Sequence, residues 1–190
     1  MEKEMQPTAK DGGGWRMRRW QIIAWAVAAL TLLFPLATGA PWTGSDYAFA
    51  GVLLFLPLGI YELVARKTGD LLYRTGAGMA LVATVLLLWV SGAVGITDSE
   101  ADLLYFLALA VGFVGAFVAQ FRPQGMAHAM FATALALVVA AAVALVAGRV
   151  PAHNSIVEIL GITGFFVALF VGSAFLFRVA ARRGPERRVI

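Results

Sequence analysis

Six apolar segments, separated by short polar or charged stretches, account for most of this chain. They cover residues 20–36, 47–65, 75–94, 103–120, 126–148 and 156–177. An α-helix rises about 1.5 Å per residue, so about 20 apolar residues are enough to cross the hydrocarbon core of a bilayer. The pattern therefore predicts an all-α, polytopic membrane protein in which six transmembrane helices form a compact bundle.

The regions outside these segments are polar. Residues 1–14 end in three glycines and predict a disordered tail, residues 15–178 form the transmembrane domain, and residues 179–190 form a basic tail. The first apolar segment also resembles a signal peptide, because residues 37–40 are small as at a cleavage site. Pro41 directly afterwards, and an apolar run longer than such peptides usually have, favour a retained helix.

The overall composition agrees with a membrane protein. Hydrophobic residues make up 61% of the chain and charged residues 14%, against about 45–50% and about 25% in soluble proteins. The net charge of +4 does not indicate nucleic-acid binding, because the basic residues flank apolar segments and act as orientation signals. The chain has no cysteine, so disulfides and thiolate chemistry are excluded.

The basic residues predict how the chain is oriented. When successive loops are assigned to alternate sides of the membrane, fourteen of the fifteen Lys and Arg residues fall on one side and Arg149 alone on the other. The fourteen are Lys3, Lys10, Arg16, Arg18, Arg19, Arg66, Lys67, Arg74, Arg122, Arg178, Arg182, Arg183, Arg187 and Arg188. Basic loops remain in the cytoplasm, so both termini are expected there, in the inner membrane of a bacterium.

Small residues spaced four apart predict where the helices touch, because close backbone approach drives helix association in lipid. Such rows occur in the third, fourth and sixth segments: Gly76 and Ala80; Ala108, Gly112, Ala116 and Gln120; and Gly164, Ala168 and Gly172. Packing within one chain and packing between subunits both remain open at this stage.

One polar neighbourhood stands out at the predicted cytoplasmic ends of the second and third segments. It consists of Glu62, Arg66, Tyr73 and Arg74. An ionisable residue at membrane depth is a functional candidate by default. Arg66 follows Glu62 by four residues, however, and a pair at that spacing is also a common structural contact on a helix surface. A site that binds a ligand or partner and a structural ion pair are both retained.

The acidic loop on the opposite side has two interpretations. Asp98, Glu100 and Asp102 supply three carboxylates within five residues, and hard cations such as calcium prefer clustered oxygen ligands. The same loop directly precedes an apolar helix, where acidic residues cap and stabilise the helix start. The loop lacks the central glycine and length of a calcium-binding hand, which favours capping.

The chain lacks residue types and motifs that several classes of membrane protein need, which narrows the possible functions. No segment carries an ionisable residue at its centre, as a proton-coupled pump or retinal protein requires, and no motif of a membrane protease or nucleotide enzyme occurs. The sequence therefore predicts a non-catalytic protein: an accessory subunit, or a protein that binds lipid or an unspecified hydrophobic cofactor. Its expected partners are membrane lipids, another membrane protein or a second copy.

A passive channel for a small solute is the alternative to this function. The polar residues Thr84, Gln120 and Thr133 would line such a channel, together with Glu62.

The orientation can be tested with reporter fusions. A phosphatase that is active only in the periplasm should be inactive when fused after Ile190 or before Met1. The same enzyme inserted between Thr97 and Ala101 should be active. An active fusion at either terminus would contradict the orientation that the basic residues predict.

Overall fold

The computed structural model of the chain describes residues 19–94, 96–97, 102–147 and 156–183. All regular structure in these residues is helical, which confirms the predicted all-α class. The helices are α1 (Arg19–Thr38), α2 (Gly44–Lys67), α3 (Leu71–Trp89, continued by one π-helical turn, Val90–Val94), α4 (Asp102–Val118), α5 (Pro123–Val146) and α6 (Ile156–Arg183). Residues 1–14 and 184–190, within the predicted tails, lie outside the described residues.

Each apolar segment corresponds to one helix, and the largest disagreement is at the end of α6. The predicted segment ends at Phe177, whereas the helix continues to Arg183 because the residues that follow contain no helix breaker. Five of the helices are long and apolar enough to cross a membrane, so the chain is a multi-pass membrane protein. α4 is the exception, with 17 residues. That number gives a length of about 25 Å, against about 30 Å for the hydrocarbon core.

Contacts between residues divide the chain into two units, Met1–Ala50 and Gly51–Ile190. In the first unit α1 ends at Thr38, where Gly39 takes a φ of +67° and the Ala40 amide donates to Pro35 O. A left-handed residue with these backbone bonds is a common helix ending that favours glycine. The four small residues that resemble a cleavage site therefore form the end of α1.

The start of α2, also in the first unit, is held by reciprocal hydrogen bonds. The Thr43 amide donates to the Asp46 carboxylate at 2.7 Å, and the Asp46 amide donates to Thr43 Oγ1 at 3.4 Å. This exchange satisfies amide groups that a helix start leaves unpaired. From there α2 continues through Pro57 to Lys67.

In the second unit, α3 to α6 form a bundle in which neighbouring helices pack in the order α4, α5, α6, α3. The π-helical turn at the end of α3 contacts α4 and completes the ring at that end. Large side chains that are fully buried in this core include Tyr105, Phe170, Phe177, Leu87 and Leu137. The bundle buries one continuous cluster to which all four helices contribute.

The contact between α5 and α6 departs from the prediction based on small residues. Gly164 and Ala168 are exposed, whereas the buried face of α6 carries the large rings of Phe166, Phe170 and Phe177. The physical reason lies on α5, whose buried face carries six alanines: Ala127, Ala129, Ala134, Ala140, Ala141 and Ala144. A surface of alanines leaves room for phenylalanine rings, so the close approach needs small residues on only one of the two helices.

The contact between α4 and α5 follows the prediction. Ala108 and Gly112 are buried, and a Cβ added to Gly112 would collide with the hydroxyl of Thr133. Farther along, a Cβ added to Gly125 would lie 2.5 Å from Ala119 Cβ and 3.1 Å from its Cα. These glycines allow the two helices to approach closely. Gln120, the last member of the predicted row, lies instead in the exposed turn after α4.

Glycine substitutions can test this packing. Gly125→Ala should lower the free energy of unfolding by about 1–3 kcal/mol, because the added methyl meets backbone atoms that cannot rotate away. Gly161→Ala, at an exposed position where the added atom meets nothing within 4 Å, should be neutral or raise it by up to about 1 kcal/mol. Thermal unfolding in detergent measures both changes. Equal effects would mean that the approach of α4 to α5 is not tight at Gly125.

Candidate functional site

One face of α2 carries an open groove. It is lined by Phe55, Leu56, Gly59, Ile60, Glu62 and Leu63 and has a volume of about 380 Å³. A Cβ added to Gly59 would meet nothing within 4 Å. The lining is apolar apart from the half-buried Glu62. All six lining residues belong to α2, so the groove is an open depression on one face of a single helix.

The groove lies on the side of α2 that faces away from α3. The ring of Tyr61 on α2 lies 3.2 Å from the point where a Cβ of Gly78 on α3 would stand. Each residue turns an α-helix by about 100°, so Gly59, two positions before Tyr61, lies about 160° around the helix from it. An occupant of the groove therefore approaches α2 from the side opposite α3.

The residues of the predicted polar neighbourhood occupy different environments. Glu62 lies in the groove of α2, while Tyr73 is buried in the core of the second unit. Arg74 is half-buried in the first turn of α3, and its Nε is buried with no hydrogen-bond partner among the residues that the structure describes. The side chain of Arg66 lies outside the described residues. Tyr73 and Arg74 are thus neighbours on α3, whereas Glu62 belongs to a separate surface of α2.

Tyr73 joins three elements of the bundle. Its hydroxyl donates a hydrogen bond to Phe121 O at 2.6 Å, in the turn between α4 and α5. Its ring packs edge-on against Phe177 of α6, with centroids 4.9 Å apart. The turn that accepts the bond is unusual, because Gln120 and Phe121 both have positive φ, at +50° and +57°. Left-handed backbone at two successive residues other than glycine is energetically costly, so the surrounding contacts must hold it in place.

No contact among the described residues joins the three predicted channel-lining side chains to one another. The Thr84 hydroxyl donates to Ala80 O at 2.8 Å within α3. The Thr133 hydroxyl donates to Ala129 O at 2.9 Å and lies fully buried against Gly112.

Two of the three carboxylates in the predicted acidic cluster, Asp98 and Glu100, lie outside the described residues. Asp102 Oδ1 accepts three hydrogen bonds, from the amides of Ile96 and Thr97 and from Thr97 Oγ1, at 2.8–3.2 Å. These bonds join the end of α3 to the start of α4. Within the parts of the chain that the structure describes, no three His, Cys, Asp or Glu residues come together to hold a metal ion.

Two polar contacts between helices were not predicted from the sequence. The hydroxyls of Tyr105 on α4 and Thr163 on α6 form a buried hydrogen bond of 3.0 Å across the bundle. Ser173 on α6 donates to Gly76 O on α3 at 2.8 Å. Each of these side chains is an isolated polar residue among apolar neighbours in its helix. Isolated hydroxyls of this kind could have indicated contacts between helices, because a hydroxyl in a transmembrane segment requires a hydrogen-bond partner.

The comparisons with known proteins leave the site without a precedent. No protein-family model, curated protein or solved structure matches the chain.

The bond between Tyr73 and Phe121 can be tested by Tyr73→Phe. This change retains the ring that packs on Phe177 but leaves a carbonyl unpaired, so it should lower the free energy of unfolding by about 0.6–2 kcal/mol. Thr75→Val is a matched control, since the Thr75 hydroxyl donates only to Leu71 O within its own helix and is exposed. A melting curve in detergent that falls as far for the control as for Tyr73→Phe would mean that the bond does not stabilise the bundle.

Proposed function

We propose that this chain is a non-catalytic, multi-pass protein of a bacterial inner membrane that binds a hydrophobic molecule through the groove of α2. The observation that carries this proposal is an apolar groove of about 380 Å³ with one carboxylate at its edge. Such a groove suits an amphiphile whose polar head donates a hydrogen bond to Glu62 or carries a positive charge. A hydrophobic cofactor, a lipid or an apolar helix of a larger complex would all have this character.

The internal polar groups of the bundle support a structural role for α3 to α6. The hydroxyls of Tyr73, Tyr105, Thr133 and Ser173 all form hydrogen bonds within the protein. Groups engaged in this way are not available to bind a passing solute, and those of Tyr105 and Ser173 link one helix to another.

The ends of α4 support six membrane crossings. Asp102, at the start of α4, bonds to Thr97 just beyond the end of α3. Phe121, just beyond the other end of α4, accepts the bond from Tyr73 at the start of α3. α4 and its flanking residues therefore extend along the full length of α3, whose stretch Leu71–Gly92 is itself long enough to cross a membrane. An even number of crossings returns both termini to one side, and the basic residues favour the cytoplasm for that side.

The passive channel remains the competing proposal, and the same purified protein distinguishes the two. Protein reconstituted into liposomes should not pass small solutes if the chain is a binding protein. Solute flux that is abolished by Glu62→Gln would favour the channel.

The binding role can be tested by filling the groove. Gly59→Leu should reduce at least fivefold the amount of any hydrophobic molecule that co-purifies in stoichiometric amount, measured by native mass spectrometry in mild detergent. Glu62→Gln should reduce it less, because the apolar walls remain. Gly161→Leu is the control, since this glycine is exposed on α6 with open space around it. The proposal fails if the purified wild-type protein carries no such molecule, or if the control loses as much as Gly59→Leu.

A further inference from the structure

Three aromatic residues meet at one end of the four-helix bundle. The Tyr73 hydroxyl bonds to the carbonyl of Phe121, and the Tyr73 ring packs against the ring of Phe177. These contacts hold together the start of α3, the turn between α4 and α5, and the last part of α6. The residues that follow these three in sequence therefore have their backbone near this contact.

Each of these aromatic residues is followed directly by an arginine. Arg74, Arg122 and Arg178, which we call the arginine triad, come one residue after Tyr73, Phe121 and Phe177. Consecutive Cα atoms are about 3.8 Å apart, so the three arginines originate around a single contact. Arg122 and Arg178 are exposed, and Arg74 is half-buried. Three positively charged residues thus directly follow the three members of one contact between helices.

The environment of Arg74 indicates that an anion belongs here. Its Nε is buried and has no hydrogen-bond partner among the described residues. A guanidinium cannot release its charge, and an unpaired buried donor is destabilising. Arg74 also lies in the first turn of α3, where the helix dipole is already positive. A negative group at this position would accept a hydrogen bond from Nε and would offset the positive charge of the arginine and of the helix start.

An apolar surface leads away from the arginine triad along α4. Phe113, Phe117 and Phe121 form a row of exposed rings, with successive centroids 5.6 and 5.7 Å apart. The row ends at the residue before Arg122. A ligand that combines a negative head with an apolar tail would therefore meet a matching surface at both of its ends.

We propose that the arginine triad binds the phosphate of an anionic phospholipid, whose acyl chain lies along the phenylalanine row of α4. Arginine forms forked, charge-assisted hydrogen bonds with phosphate oxygens, and a turn of the Arg74 side chain would present its Nε and one terminal nitrogen together. Basic pockets between helices at a membrane surface are suited to such headgroups. The site is separate from the groove of α2 and does not depend on what the groove binds.

Thermal unfolding in mixed micelles tests the proposal. Phosphatidylglycerol added to phosphatidylcholine micelles should raise the apparent melting temperature of the wild-type protein by several degrees. A variant carrying Arg74→Gln, Arg122→Gln and Arg178→Gln should lose most of this shift. The matched control carries Arg182→Gln, Arg183→Gln and Arg187→Gln, which removes the same number of charges from the C-terminal part of the chain and should keep the shift.

Three results would overturn the proposal. Equal loss in both triple variants would mean that diffuse surface charge attracts the lipid. If phosphatidylcholine alone raised the melting temperature by the same amount, an anionic headgroup would not be required for binding. Full protection by inorganic phosphate would assign the site to a free anion in place of a lipid. If the first triple variant does not elute as a single species in phosphatidylcholine micelles, the double variant Arg122→Gln, Arg178→Gln carries the same test, because both side chains are exposed.

Discussion

The hydrogen bonds between helices are the interactions on which the rest of this structure depends. A bilayer core offers no water, so a polar group there must find its partner within the protein. The bond from Ser173 to Gly76 joins α6 to α3, and that between Tyr105 and Thr163 joins α4 to α6. At the two ends of α4, Asp102 and Phe121 complete the connections to α3. Together these bonds determine how far each helix is shifted along its neighbours.

With the helices held at these positions along one another, residues of very different size fill the space between them. Buried alanines of α5 and buried phenylalanines of α6 belong to one core, the ring of Phe131 on α5 packs on that of Phe175 on α6, and Gly112 of α4 lies against Thr133 of α5. Lipid chains are as apolar as these side chains, so close fit and not hydrophobicity decides which faces meet. This explains why Gly164 and Ala168 are exposed although their spacing predicts a contact. Small residues allow close approach, but they do not determine which neighbouring helix will use it.

Hydrogen bonding inside the bundle also limits which polar groups can contact a ligand. Tyr105, Thr133, Thr163 and Ser173 of the second unit use their buried hydroxyls in hydrogen bonds within the protein. The chain carries no ionisable residue at the centre of an apolar segment. Charged side chains lie nearer the helix ends, at Glu62 in the apolar groove and at the arginines that follow three packed aromatic residues. Both surfaces combine charge with an apolar face, which is the chemistry of amphiphilic ligands.

The sequence by itself determined the membrane class, the helical structure and the approximate bounds of every helix, because apolar runs of that length have few other stable forms in a bilayer. Candidate residues such as Glu62 and Arg74 were also visible, since charges near apolar segments are rare. Only the tertiary structure separated them, placing Glu62 in a groove on α2 and Arg74 beside the contact of Tyr73 with Phe121 and Phe177. Partners that lie 48 and 104 positions apart along the chain leave no local pattern, because the three-dimensional packing of the helices is what brings them together.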